Sequence, residues 1–151
     1  MKFLSAPMQE MAAFDEVKKL LAKEEVNIGF SGLSDSSKLH MMYALSEGFK
    51  SKLIVTYNDI RAREIYEEYR FYDRMVSLYP AKDLIFYQAD VHGNELTKER
   101  VKTLRRIAEG KPVTVVTTFD SLMTPQVPLN IWRAHILKFQ KGGNLDEKNI
   151  A

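Results

Sequence analysis

Val26-Asn27-Ile28-Gly29-Phe30-Ser31-Gly32-Leu33-Ser34-Asp35-Ser36-Ser37-Lys38-Leu39 is the stretch on which the fold turns. Val26–Phe30 is a short β-prone run that Ser31-Gly32 stops, and from Lys38 to Phe49 the residues Leu39, Met42, Tyr43 and Leu45 fall at helical spacing. Strand, glycine-bearing loop and helix follow in that order. The segment meets the phosphate-binding pattern G-x-x-x-x-G-K-[ST] at three points: a strand before it, the first glycine at Gly32, and the lysine at Lys38. Two working parts are absent. Ser37 stands where the second glycine would let backbone N–H groups face a phosphate. Leu39 stands where a hydroxyl would hold magnesium. Asp35 adds a carboxylate where a nucleotide would bring negative charge.

Outward from this stretch the unit recurs in kind. Lys52–Tyr57 reads as a buried strand, and Asn58 or Asp59 can cap a helix with Ala62, Ile65, Tyr66, Tyr69 and Tyr72 on one face. Met75–Tyr79 reads as a strand closed by Pro80. A loop-rich passage from Pro80 to Gly93, with His92 organising its turn, leads to a helix over about 94–109 that Gly110 and Pro112 end. Val113–Thr118 is the most β-branched run in the chain. Ahead of all this, Met11, Phe14, Val17 and Leu21 predict one amphipathic helix over 8–24. Continuous apolar strands alternating with helices predict an α/β domain with a parallel sheet covered on both faces. Pro125 and Pro128 then break the chain, and Ala134–Phe139 reads as a further strand before the turn Lys141–Asn144. The expected organisation is a domain over 1–130, with 131–151 as a strand and the start of a next module, so that the chain is expected to be a piece of a longer protein.

The bulk properties bound what such a domain can do. Its 151 residues, 45% hydrophobic with 7 Gly and 5 Pro, suffice for one core. The absence of cysteine excludes disulfides, thiol catalysis and Cys-ligated metal sites, and fits a reducing, cytoplasmic setting. No apolar run is long enough for a membrane span. Twenty-two Lys+Arg against 20 Asp+Glu leave a net charge of +2, too near neutral for a domain that wraps DNA by itself.

Other constellations are weaker. Lys98, Lys102 and Arg105 stand at i, i+4 and i+7, joined by Arg100 and Arg106; they suit either phosphate contacts or a solvated helix face. Trp132, beside Arg133 and after two prolines, is a candidate exposed anchor for a partner. Asp59 and Asp120 follow strands where a metal-binding acid would stand, but each also sits at a helix start, where capping explains it. His40, His92 and His135 lack acidic neighbours at ligand spacing, so no metal site is expected. Ser34, Ser36 and Ser37 lack the glycine frame of a nucleophile elbow, and no acidic cluster marks a signalling receiver domain.

In order and spacing, the chain resembles the N-terminal, UvrB-homologous module of bacterial transcription-repair coupling factors. Phe30–Lys38 is similar to that family's TGLSGSAK-type loop. Leu53–Asp59 with the Arg61–Tyr72 helix, Leu78–Tyr87, Asp90–Glu95, Glu99–Leu104, Val115–Met123 and Leu137–Gly142 follow in register across roughly residues 10–143. Lys82 and Phe86 depart from a tryptophan and a proline of that family, and Asp90-Val91 from a Ser-Pro.

The resemblance implies a three-layer RecA-like sheet of the P-loop NTPase type with helices on both faces and a degenerate nucleotide loop (Gly32, Ser37, Lys38, Leu39). It implies a parent protein that is an ATP-dependent DNA translocase, which removes stalled RNA polymerase and recruits UvrA for nucleotide excision repair. ATP and magnesium would belong to motor domains elsewhere, and this part would hold no cofactor and no catalytic residue. Its partners would be the rest of the parent chain, UvrA through the adjoining module, and RNA polymerase and DNA through other domains. The alternative from a different class is a small P-loop enzyme, an ATPase or kinase, with an atypical loop.

Overall fold

Three runs rich in β-branched residues form the sheet, and the helices between them supply its covers. The computed structural model describes residues 2–23, 25–81 and 90–134. Within them lie α1 (Lys2–Gln9), α2 (Phe14–Leu21), α3 (Asp35–Leu45), β1 (Ser51–Thr56), α4 (Asp59–Tyr69), β2 (Val76–Tyr79), α5 (Asp90–Ala108), β3 (Val113–Thr118), α6 (Phe119–Met123) and α7 (Leu129–Ala134). The sheet is parallel in the order β1-β3-β2. β3 is central and buried at all six positions, as expected of a strand with neighbours on both sides and helices on both faces. Its threonines turn their hydroxyls inward: Thr117 Oγ1 donates to the Tyr79 carbonyl at 2.8 Å, and Thr118 caps α6.

One face carries Ile54, Val76, Leu78 and Val116, packed on Leu39 and Tyr43 of α3 and on Ala62, Ile65 and Tyr69 of α4. Each large apolar side chain buried there contributes roughly 1.5–3 kcal/mol. Burial pushes the Tyr69 phenol up to about 12. The opposite face joins Tyr79, Val113 and Val115 to Leu104 of α5, so helices cover both faces of β2 and β3. A third cluster, Phe14, Met41, Ala44 and Leu45, packs the N-terminal helices against α3.

The structure corrects several expectations. Val26–Phe30 forms neither strand nor helix; Val26 and Ile28 are half-buried, while Asn27, Gly29 and Phe30 are exposed. Asn27 and Gly29 are poor strand formers. The helix expected over 8–24 is two helices, with a turn closed by Met11 N–H to the Met8 carbonyl and Phe14 N–H to the Met11 carbonyl. Asp90–Gly93, expected as loop, already belongs to α5, so His92 sits on a helix. Leu129–Ala134 is helical, so Ala134 begins no strand. Residues 82–89 and 135–151, with the expected strand to Phe139 and the turn at Lys141–Asn144, lie outside the described residues. Among those described, no helix is long and apolar enough to cross a membrane.

At the N-terminal ends of the strands, Asp73 ties the sheet together. Its carboxylate accepts from Thr114 Oγ1 of β3 at 2.6 Å, from the Met75 N–H at 2.8 Å and from Lys52 Nζ of β1 at 3.4 Å. Burial pushes its pKa up, but these three donors outweigh burial and hold it below the ordinary carboxylate value. The group therefore stabilises the fold above the unfolded-state pKa, and that contribution is lost as pH falls through the lowered folded value. Asp73→Ala, which leaves Lys52 and Thr114 without this acceptor, is expected to lower stability by about 1–3 kcal/mol. Urea unfolding checks this at pH 7 and again in acid, where the gap to the wild type must shrink; an unchanged midpoint at pH 7 refutes it.

Candidate functional site

The loop singled out by sequence ends in a capped helix. Gly32 adopts φ +76°, a left-handed conformation that favours glycine, with open space where a Cβ would stand. Ser34 is the N-cap of α3, and its hydroxyl accepts from the Ser37 N–H and bonds the Ser37 hydroxyl at 2.7 Å. The Lys38 N–H donates to the Ser34 carbonyl at 2.9 Å. A phosphate-cradling loop needs these consecutive N–H groups free, and here those of Ser37 and Lys38 are committed within the helix start.

Charge at this end is also matched internally. Asp35 takes Lys38 Nζ at 3.1 Å and Arg61 Nη2 at 3.2 Å, and Arg61 also holds Glu64 at 2.9 Å. The hydrogen bond from Lys38, then the Arg61 charge, keeps the exposed Asp35 carboxyl below its ordinary value. The lysine of the motif thus faces a built-in carboxylate. Leu39 is 3% exposed and sits in the main core.

The acids after the strands are not the caps. Asn58 caps α4 through the Arg61 N–H at 2.8 Å, and Thr118 caps α6 through the Ser121 N–H. Asp59 and Asp120 lie in the first turns, where a negative charge complements the helix dipole. Among the described residues no group of three or more His, Asp or Glu could hold a metal. His40 stacks on Tyr72 at 5.2 Å and hydrogen-bonds the Leu4 carbonyl, which fastens α1 to α3.

The basic stripe divides. Lys98, Lys102 and Arg105 are exposed on α5, and Arg105 shares Glu109 with Lys111. Those two partners, Lys111 first, draw the Glu109 carboxyl down to about 2. Arg106 is instead tied to Ser77, Met75 and the Pro112 carbonyl. Arg100 is 5% exposed, lies 4.2 Å over the Tyr79 ring and donates to the Pro80 carbonyl. Neither arginine belongs to the solvent face. Trp132, expected as an exposed anchor, is half-buried on α7, and its neighbour Arg133 donates to the Ala108 carbonyl.

Sequence reasoning missed two features. Arg61 closes on Asp35 from the next helix, across β1 and a stretch of chain that no local pattern connects. Tyr79, Glu99 and Arg100 each carry a buried polar atom to which no described residue gives a hydrogen bond; in Lys98–Arg106, Glu99 and Arg100 read like any pair on a polar helix face.

Known proteins share this stretch of chain. A transcription-repair-coupling factor of Staphylococcus epidermidis is 26% identical over 136 residues, 88% of this chain and 12% of that protein. Over most of its length the chain is similar to transcription-repair-coupling factors. That of Bacillus subtilis is 26% identical over 80% of the chain, and that of Staphylococcus aureus 24% over 97%. The chain spans about 12% of the length of these curated relatives. No protein-family model matches it, and no solved structure does.

A capped helix start makes a definite claim about Ser34. Ser34→Ala is expected to lower stability by about 1 kcal/mol, and Ser34→Gly by only a few tenths. Urea midpoints check the ranking, and equal midpoints for the three proteins contradict the cap.

Proposed function

We propose that the chain is a non-catalytic interaction and regulatory module at the start of a translocase that couples transcription to nucleotide excision repair. The observation that carries the proposal is the α3 N-terminus. The N–H groups of Ser37 and Lys38, the lysine and the neighbouring arginine are engaged by Ser34 and Asp35 within the protein, in a chain similar over most of its length to transcription-repair-coupling factors. A pyrophosphate arriving there meets a carboxylate already held by both cations, and a helix start without the glycine that would open it.

In this function the module works through surfaces rather than chemistry. It is a degenerate RecA-like, UvrB-homologous domain of a cytoplasmic protein, with ATP and magnesium handled by motor domains elsewhere in the parent. RNA polymerase and DNA engage other parts of that protein, and UvrA engages the module that adjoins this one. The exposed cations Lys98, Lys102 and Arg105 and the half-buried Trp132 are its candidate contacts to phosphate or to a partner.

Equilibrium dialysis against labelled ATP with magnesium is expected to show no binding by the chain, and millimolar Mg-ATP to leave its melting temperature unchanged; saturable binding with a shift of several degrees would establish a nucleotide enzyme instead. For the stripe, Lys98→Glu, Lys102→Glu and Arg105→Glu together are expected to weaken association with a DNA duplex or partner protein, and with DNA to flatten its salt dependence by roughly one unit for each phosphate no longer neutralised. Unchanged binding isotherms would mark the stripe as an ordinary solvated face.

A further inference from the structure

α3, α4 and α5 end at Leu45, Tyr69 and Ala108, and the turns after them lead into β1, β2 and β3 at the pole of Asp73. The Val113 N–H donates to the Lys50 carbonyl and the Thr114 N–H to the Met75 carbonyl, which sets the three strand entries in one row. Gly110, at φ +64°, turns the chain after α5, and Lys50 Nζ stands 3.9 Å from the point where a side chain on Gly110 would begin. From α5, Arg106 reaches Met75 Sδ at 2.9 Å.

The charges gathered at this pole do not cancel. Asp73 holds Lys52, Glu67 holds Arg70 at 2.8 Å, and Glu109 is shared by Arg105 and Lys111. Glu47, just after α3, accepts from Ser5. Among the described residues Lys50 and Arg74 are exposed and pair with no acid, and Arg106 meets only neutral groups on Ser77, Met75 and Pro112. A helix dipole favours cations within its last turn, which accounts for Arg105 and Arg106. Lys50, Arg74 and Lys111 lie beyond that range, in the turns. Two apolar rings stand among them: Phe49 is 50% exposed beside Lys50, and Phe71 is 82% exposed between Arg70 and Arg74.

We infer that this pole binds single-stranded nucleic acid, with Phe49 and Phe71 stacking on bases and Lys50, Arg74 and Lys111 taking phosphates. Unpaired strands are held by this combination of cations that follow the backbone and aromatic rings that stack on exposed bases. A duplex keeps its bases stacked inside and offers the rings nothing, while an acidic peptide would use the cations alone. Lys98, Lys102 and Arg105 run along α5 toward the same pole and lengthen the cationic path. A net charge of +2 suits a short contact at one pole. This contact goes beyond the module function and is additional to the DNA engagement by other parts of the parent.

The test is fluorescence anisotropy of a labelled oligothymidylate of about twenty nucleotides, titrated with the 151-residue chain over a range of salt. Saturable binding is expected, weakening with salt by a log–log slope of roughly 0.7 for each phosphate neutralised. Phe49→Ala and Phe71→Ala are each expected to lower affinity by at least about fivefold with the slope unchanged. Lys50→Glu with Arg74→Glu is expected to lower affinity and flatten the slope together, and unchanged melting temperatures verify that the variants fold. Absence of saturable binding overturns the site, as do alanine variants that bind like the wild type. A duplex of the same length bound as tightly, or polyglutamate displacing the strand at equal charge, overturns it in favour of plain polyanion attraction. Equal weakening by Arg63→Glu, on the first half of α4, overturns it in favour of net charge. Each of these failures leaves the non-catalytic module function standing, since that function fails on Mg-ATP binding instead.

Discussion

Asp73 is the point on which the sheet depends. It stands just ahead of β2 and binds a lysine on β1, a threonine on β3 and the N–H of Met75, so one carboxylate touches the entry of every strand. Lys52 and Thr114 are register partners, and Thr114 also pairs with Val76. Sliding any strand by one residue would remove a donor from a half-buried anion and reverse the faces of Ile54, Leu78 or Val116. Polar pairing at one end and apolar packing along the faces therefore specify the same alignment.

At the other end of the sheet, comparable chemistry has an opposite outcome. There the Asp35 carboxylate gathers cations that a phosphate would otherwise attract, and the Ser34 cap takes up N–H groups that would otherwise face it. Both arrangements favour folding, since a serine cap and an acidic first turn are what a helix start favours.

The α/β class and all three ladder strands were legible, because Lys52–Tyr57, Met75–Tyr79 and Val113–Thr118 carry continuous apolar or β-branched runs between amphipathic helices. Val26–Phe30 misled because its composition allows a strand but Asn27 and Gly29 weaken one, and composition alone does not show whether a segment pairs. The break between Gln9 and Phe14 was hidden because Met11 and Phe14 keep helical spacing across a turn. At the candidate site the missing glycine and hydroxyl were readable at Ser37 and Leu39. The Arg61–Asp35 pair was not, since it depends on where β1 sets down α4. Arg100 shows the same limit: a charge on a polar helix becomes buried only when Tyr79 and Pro80 are brought beneath it.

Arg133 gives the molecule a direction. Its guanidinium holds the carbonyl of Ala108, the last residue of α5, next to the chain's approach to β3. α6 leaves the sheet at the exit of β3, beside the end that carries α3 and Arg61, and α7 brings the backbone back to the opposite pole. Ala134 therefore lies at the pole of Asp73, with the depth of the sheet between it and the N-terminus of α3.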